Sequence, residues 1–123
     1  MLGSTRRVRA HAYGAAVDMR KSFDTLSALV VHAMKRELLG GDCFLFVGKD
    51  RKRAKVLYWD GTGLCLLAKR LEQGRFAVLW SDDPQSVVLS MSELTVFIEG
   101  AKLEGRLPLS PKEFEMSRGT KQM

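Results

Sequence analysis

The chain has 123 residues, a formal net charge of +6 and 46% hydrophobic residues. That length suits a single domain with its own core, and the composition excludes wholesale disorder. The longest apolar runs fall well short of the ~20 residues a membrane-spanning helix needs, and the basic N-terminus, MLGSTRRVRAHAYG, is followed by no apolar segment of the secretory type. The expectation is a soluble, cytoplasmic protein with no membrane partner.

Residues 6–13, RRVRAHAY, read as a first strand with Val8, Ala10 and Ala12 on one face and Arg7, Arg9 and His11 on the other. A helix is expected over 22–36. Phe23, Leu26, Val30, Ala33 and Met34 form its apolar stripe, Lys35 and Arg36 suit its C-terminal end, and Gly40-Gly41 stops it. Before it comes Asp18-Met19-Arg20-Lys21. Asp18 suits a helix start, whereas cations at a helix N-terminus oppose the dipole, so Arg20 and Lys21 point to a phosphate contact.

CFLFVG (43–48) is a continuous apolar run and reads as a central strand. The charged loop KDRK leads to a strand over 53–59. Asp60-Gly61-Thr62-Gly63 makes a tight hairpin turn and 64–71 returns as its partner. After Gln73-Gly74, residues 75–80 read as a further strand, SDDPQ as a loop and SVVLS as a short strand. Ser90 and Glu93 then form a capping box for a second helix with Leu94, Phe97, Ile98 and Ala101 on its buried face. From 103 the period dissolves into an extended, partly disordered tail, so the domain spans 1–102 and the tail 103–123. The fold class is α+β: an antiparallel meander of four to five strands with two helices on one face, leaving the other face open.

The stretch 49–75 carries the charge. Its eight basic residues, Lys49, Arg51, Lys52, Arg53, Lys55, Lys69, Arg70 and Arg75, stand against Asp50, Asp60 and Glu72, a surplus of five within a chain of net +6. Clustered cations on a hairpin surface suit a polyanion, and the pattern points first to DNA. Within 53–59, Arg53, Lys55, Leu57 and Trp59 share one face and Ala54, Val56 and Tyr58 the other. If the second set is core, Arg53 and Lys55 stand on the open face. Tyr58 and Trp59 fit hairpin packing, although an aromatic beside cations can also stack on a base or wedge at a groove, which keeps Trp59 among the candidates. The candidate DNA-binding set is Arg20, Lys49, Arg51, Lys52, Arg53, Lys55, Trp59, Lys69, Arg70 and Arg75.

Little suggests catalysis. The carboxylates read as turn and cap residues, His11 and His32 stand isolated, and no nucleophile motif or phosphate-binding loop is present. Cys43 and Cys65 lie in apolar runs and read as buried, reduced thiols. No catalytic residue, metal site or cofactor is expected.

Three pieces of the sequence resemble a known family: DMRKSFDTLSALV (18–30), FLFVGKDRKRAKVLYWDGTGLCLLAKRLEQGRF (44–76) and LSMSELTVFIEG (89–100). In this order they are similar to the small second-reading-frame protein, TnpB, of the bacterial IS sixty-six insertion sequences, which is distinct from the RNA-guided nuclease of the same name. The resemblance implies an accessory role in transposition beside a separate, larger DDE transposase. It places Asp18, Met19, Arg20, Lys55, Trp59, Asp60, Gly61, Gly63, Lys69, Arg70, Leu71 and Arg75 in the family pattern and makes 49–53 a variable basic loop. Two expectations follow: direct binding to DNA, with the element ends as a candidate target, or docking on the transposase without touching DNA.

Overall fold

The computed structural model describes residues 7–81 and 87–100. The expected tail, Ala101 and most of the SDDPQ loop lie outside them. The elements are β1 (Arg9–Ala12), α1 (Phe23–Ala28) running into a π-helical turn (Leu29–Ala33), β2 (Cys43–Val47), β3 (Arg53–Trp59), β4 (Leu64–Arg70), β5 (Val87–Ser90) and α2 (Met91–Ile98). They form an α+β fold around one five-stranded sheet in the order β4-β3-β2-β1-β5.

The sheet is mixed, which corrects the expected meander. β3 pairs antiparallel with β2 and β4, and β5 with β1, but β1 and β2 run parallel, Ala10 opposite Cys43. Parallel neighbours need a crossover, and α1 supplies it. The apolar run of β2 is buried at all five positions because both faces of the sheet are covered.

The helices lie on opposite faces, not on one. Alternate residues of β2 divide between two cores. Cys43, Leu45 and Val47 pack with Leu94 and Phe97 of α2, while Phe44 and Phe46 pack with Leu26, Val30 and Met34 from the α1 side. Burying two apolar sets on one strand requires a layer on each side. The supposed open face of β3 is therefore closed beneath α1, and Leu57 there is fully buried.

Two further expectations shift. The helix expected to reach Arg36 widens after Ala28: Met34 N donates to Leu29 O at 2.8 Å and Arg36 N to Val30 O at 3.0 Å. Lys35 then turns left-handed at φ 57, ending the helix before the glycine pair. Residues 75–80 form no strand. Phe76 and Leu79 are both buried while Val78 is exposed, a spacing of three that a strand cannot present to one face. Phe76 stacks on Phe97 at 5.0 Å, so this segment completes the core on the α2 side.

The capping box stands as the sequence predicts: Glu93 N donates to Ser90 Oγ at 3.1 Å, and Ser90 N to Glu93 Oε1 at 2.8 Å. Cys43 is buried and Cys65 half-buried, both as free thiols. No helix among the described residues is long and apolar enough to cross a membrane.

Candidate nucleic-acid interface

The basic residues converge at the end of the β3–β4 hairpin remote from its turn. Gly48 begins the connection from β2, and a Cβ there would meet Met19 Cγ at 2.8 Å, so any side chain at this position would have to displace Met19. Arg51 N donates to Gly48 O at 2.9 Å with Arg51 left-handed at φ 56. Asp50 organises this turn by accepting from Lys52 N at 3.0 Å and from Arg53 Nη2 at 3.3 Å. The Lys52 amide above all, with the Arg53 charge beside it, holds the Asp50 carboxyl below its usual range.

Register then sets cation against cation. Arg53 lies directly opposite Arg70, and Ala54 opposite Lys69. Like charges facing each other across strands are destabilising. Two depressions flank this end. One, of about 350 Å³, is lined by Arg53, Lys55, Lys69 and Arg70 over Met19, Ala54 and Ala68. The other, of about 730 Å³, is lined by Arg51, Lys52 and Arg75 with the chain from Gly74 to Val78. Neither is lined by a carboxylate.

The candidates separate by what their side chains already hold. Arg51 Nη1 donates to Phe76 O at 2.9 Å while its own carbonyl accepts from Phe76 N at 2.6 Å. Arg51 thus pins the loop that brings Arg75 beside Lys52. Lys55 Nζ donates to Lys21 O at 2.7 Å and ties the α1 approach to the sheet, so it does not stand on an open face. Arg20 is exposed but gripped by Asp18, with Nε at 3.0 Å and Nη2 at 2.7 Å from the carboxylate. That fork, with the Arg20 amide, holds the Asp18 carboxyl far below its ordinary range. Asp18 therefore holds Arg20 rather than capping the helix, and Ser22 takes the cap position. Arg53 is shared with Asp50. Among the described residues, the side chains of Lys49, Lys52, Lys69, Arg70 and Arg75 have no hydrogen-bond or ion-pair partner.

Trp59 is not part of this cluster. It ends β3 six residues from Arg53, about 20 Å along an extended strand. Its neighbour across the hairpin is Leu64, beside the Asp60 turn.

One buried pair escaped the sequence reading. His11, read as an outward residue, is 3% exposed, with Nε2 2.7 Å from Asp42 Oδ2 and its ring stacked on Phe44 at 5.5 Å. Asp42 also accepts from Arg9 N at 3.2 Å, so it fastens the start of β2 to β1. Strand alternation puts His11 on the same face as Phe44, and only the α1 layer makes that face interior. Among the described residues, no three His, Cys, Asp or Glu side chains are grouped to hold a metal ion.

A mixed five-stranded sheet between two helical layers, with cations gathered at one end of its β3–β4 hairpin, defines a small α+β domain. The model of one family, described as IS66 Orf2 like protein, matches residues 8–107. The chain belongs to this family of insertion-sequence accessory proteins. Two relatives from Sinorhizobium fredii (strain NBRC 101917 / NGR234) are similar to it. The uncharacterized protein y4hO is 35% identical over 101 residues, covering 81% of this chain and 86% of its own length. The uncharacterized protein y4jC is 38% identical over 76 residues, covering 62% and 65%. No solved structure matches the chain.

Proposed function

We propose that this chain is a non-catalytic accessory protein of transposition, acting in the cytoplasm, that binds duplex DNA through the cations at the β3–β4 end. The observation that carries the reading is the set of five side chains, Lys49, Lys52, Lys69, Arg70 and Arg75, left without a partner among the described residues beside the opposed Arg53–Arg70 pair. Such a set is held against its own repulsion, and an external polyanion relieves it. Trp59 lies about 20 Å from Arg53 along β3 and Tyr58 packs against the core on the α2 side, so the contact is one with phosphates, not with stacked bases.

The test is a duplex-binding titration against salt. Five phosphate contacts give a slope of log affinity on log salt of about −4 to −5. A flat response, or no binding near ~50 mM salt, sinks the reading. Those results would promote the second one, docking on the element's separate transposase. That alternative draws support from apolar side chains left at the surface of the α1 region, Phe23 at 42% and Val31 at 43% exposed.

A further inference from the structure

Among the described residues β4 has a strand on one side only. Antiparallel ladders alternate residues that bond the neighbour with residues whose N–H and C=O point away. Asp60 N donates to Gly63 O at 3.1 Å beyond one end of the β3–β4 ladder, and Leu71 N to Lys52 O at 2.7 Å beyond the other. Both bonds keep the ladder's register. They fix the alternation: Cys65, Leu67 and Lys69 bond β3, and Leu64, Leu66, Ala68 and Arg70 turn their backbone groups outward. Edge strands are commonly guarded by charge, proline or a bulge. The first five residues of β4, Leu64-Cys65-Leu66-Leu67-Ala68, carry no charge and no proline, and Leu67 is 49% exposed.

We propose that a second copy of this chain pairs antiparallel along β4, joining two five-stranded sheets about a twofold axis at Leu67. In that register Leu67 faces Leu67, Leu66 faces Ala68, Cys65 faces Lys69 and Leu64 faces Arg70, so every residue of the strand is paired. The outward groups of Leu64, Leu66, Ala68 and Arg70 exchange the new backbone bonds. The two Leu67 side chains meet at a non-bonded position, where facing side chains approach most closely, and cover each other. Charge selects this direction. Antiparallel pairing sets the Lys69–Arg70 end of each copy against the neutral Leu64–Cys65 end of the other, toward its Asp60 turn. Parallel pairing would bring all four cations together. A self-complementary contact of this kind closes at two copies. It would hold two basic clusters about 20 Å apart along the joined strands, a consequence that rests on the DNA reading, although the pairing itself does not.

Sedimentation equilibrium of the full chain without DNA tests the pairing. The expected result is a dimer in the micromolar range. Leu67→Lys or Leu67→Glu, each placing like charges on the axis, should raise the dimer Kd by about tenfold or more, and an equal mixture of the two variants should restore association. A monomer at every concentration overturns the proposal, and so does a dimer indifferent to both substitutions. Should a variant lose its fold by circular dichroism, hydrogen exchange on the unaltered chain decides. The amides of Leu64, Leu66, Ala68 and Arg70 should slow as concentration rises. Fast exchange throughout overturns the proposal, and protection independent of concentration does too, since the cover then comes from the same chain. Sedimentation and exchange are read without DNA, so an unaltered chain that dimerises but fails to bind DNA would overturn the DNA reading alone.

Discussion

The two ends of the β3–β4 hairpin handle charge in opposite ways. At the turn, Asp60 is satisfied within a few residues: it accepts from Thr62 N at 2.8 Å, Gly63 N at 2.9 Å and Thr62 Oγ1 at 3.0 Å. Gly61, at φ 106, supplies the backbone that closes this loop. At the other end, Arg53 faces Arg70, Lys69 and Arg75 have no partner among the described residues, and the nearby Asp50 is occupied with its own turn. The same two strands thus end in one charge that explains itself and a cluster that does not. A charge met by its own neighbours shapes the chain, whereas a cluster assembled against repulsion points outside it.

The largest effect should come from removing the cluster. Replacing Lys52, Lys69, Arg70 and Arg75 together with Gln should lower duplex affinity more than about a thousandfold near ~50 mM salt and cut the salt slope by about 3 to 4. A fluorescence-anisotropy titration at several salt concentrations reads both quantities. An unchanged slope would erase the distinction between the two ends.

Arg51→Gly separates holding the cluster from belonging to it. Glycine accepts the left-handed backbone at no cost, but the bond to Phe76 O is lost. Unfolding stability should drop by about 1–2 kcal/mol in urea melts. Duplex affinity should fall as Arg75 loses its placement, with the salt slope losing about one contact.

Arg70→Glu should weaken DNA binding and yet leave the fold as stable or slightly more so. The substitution turns a like-charge pair with Arg53 into an opposite-charge pair, a gain of a few tenths of a kcal/mol for so exposed a site. Loss of stability would show that Arg70 is structural after all.

The turn end makes its own prediction in acid. The Thr62 and Gly63 amides above all hold the Asp60 carboxyl down at about 2, against its ordinary 3.8. A depressed folded pKa means the unfolded chain binds the proton first. The contribution of Asp60 is therefore fully present above about pH 4 and lost as pH falls toward about 2. Asp18, gripped by Arg20, acts in the same direction. Melting temperature should decline over that window, less steeply in Asp60→Asn, which keeps the acceptor oxygen and has no proton to gain. Trp59→Ala is the smallest expected change: duplex affinity stays within about twofold, because the ring lies some 20 Å along β3 from the cations.

Local signals in the sequence determined much of this protein. The apolar run of β2, the Asp60-Gly61 turn, the alternation of β3 and the Ser90–Glu93 box act within a few residues, and each stands where the sequence places it. The surplus of cations in 49–75 was equally legible, since charge can be counted without a fold. Tertiary structure alone decided the rest. The parallel β1–β2 pairing depends on where α1 carries the chain, and that crossover buries both faces of the sheet. Burial by α1 made His11 interior and denied Lys55 an open face, which strand periodicity by itself cannot foresee. Phe76 and Leu79 obey the shape of the core above α2 rather than the period of a strand. Register put Arg53 opposite Arg70 and left Trp59 at the far end, because pairing across strands, not nearness in sequence, determines which charges share a surface.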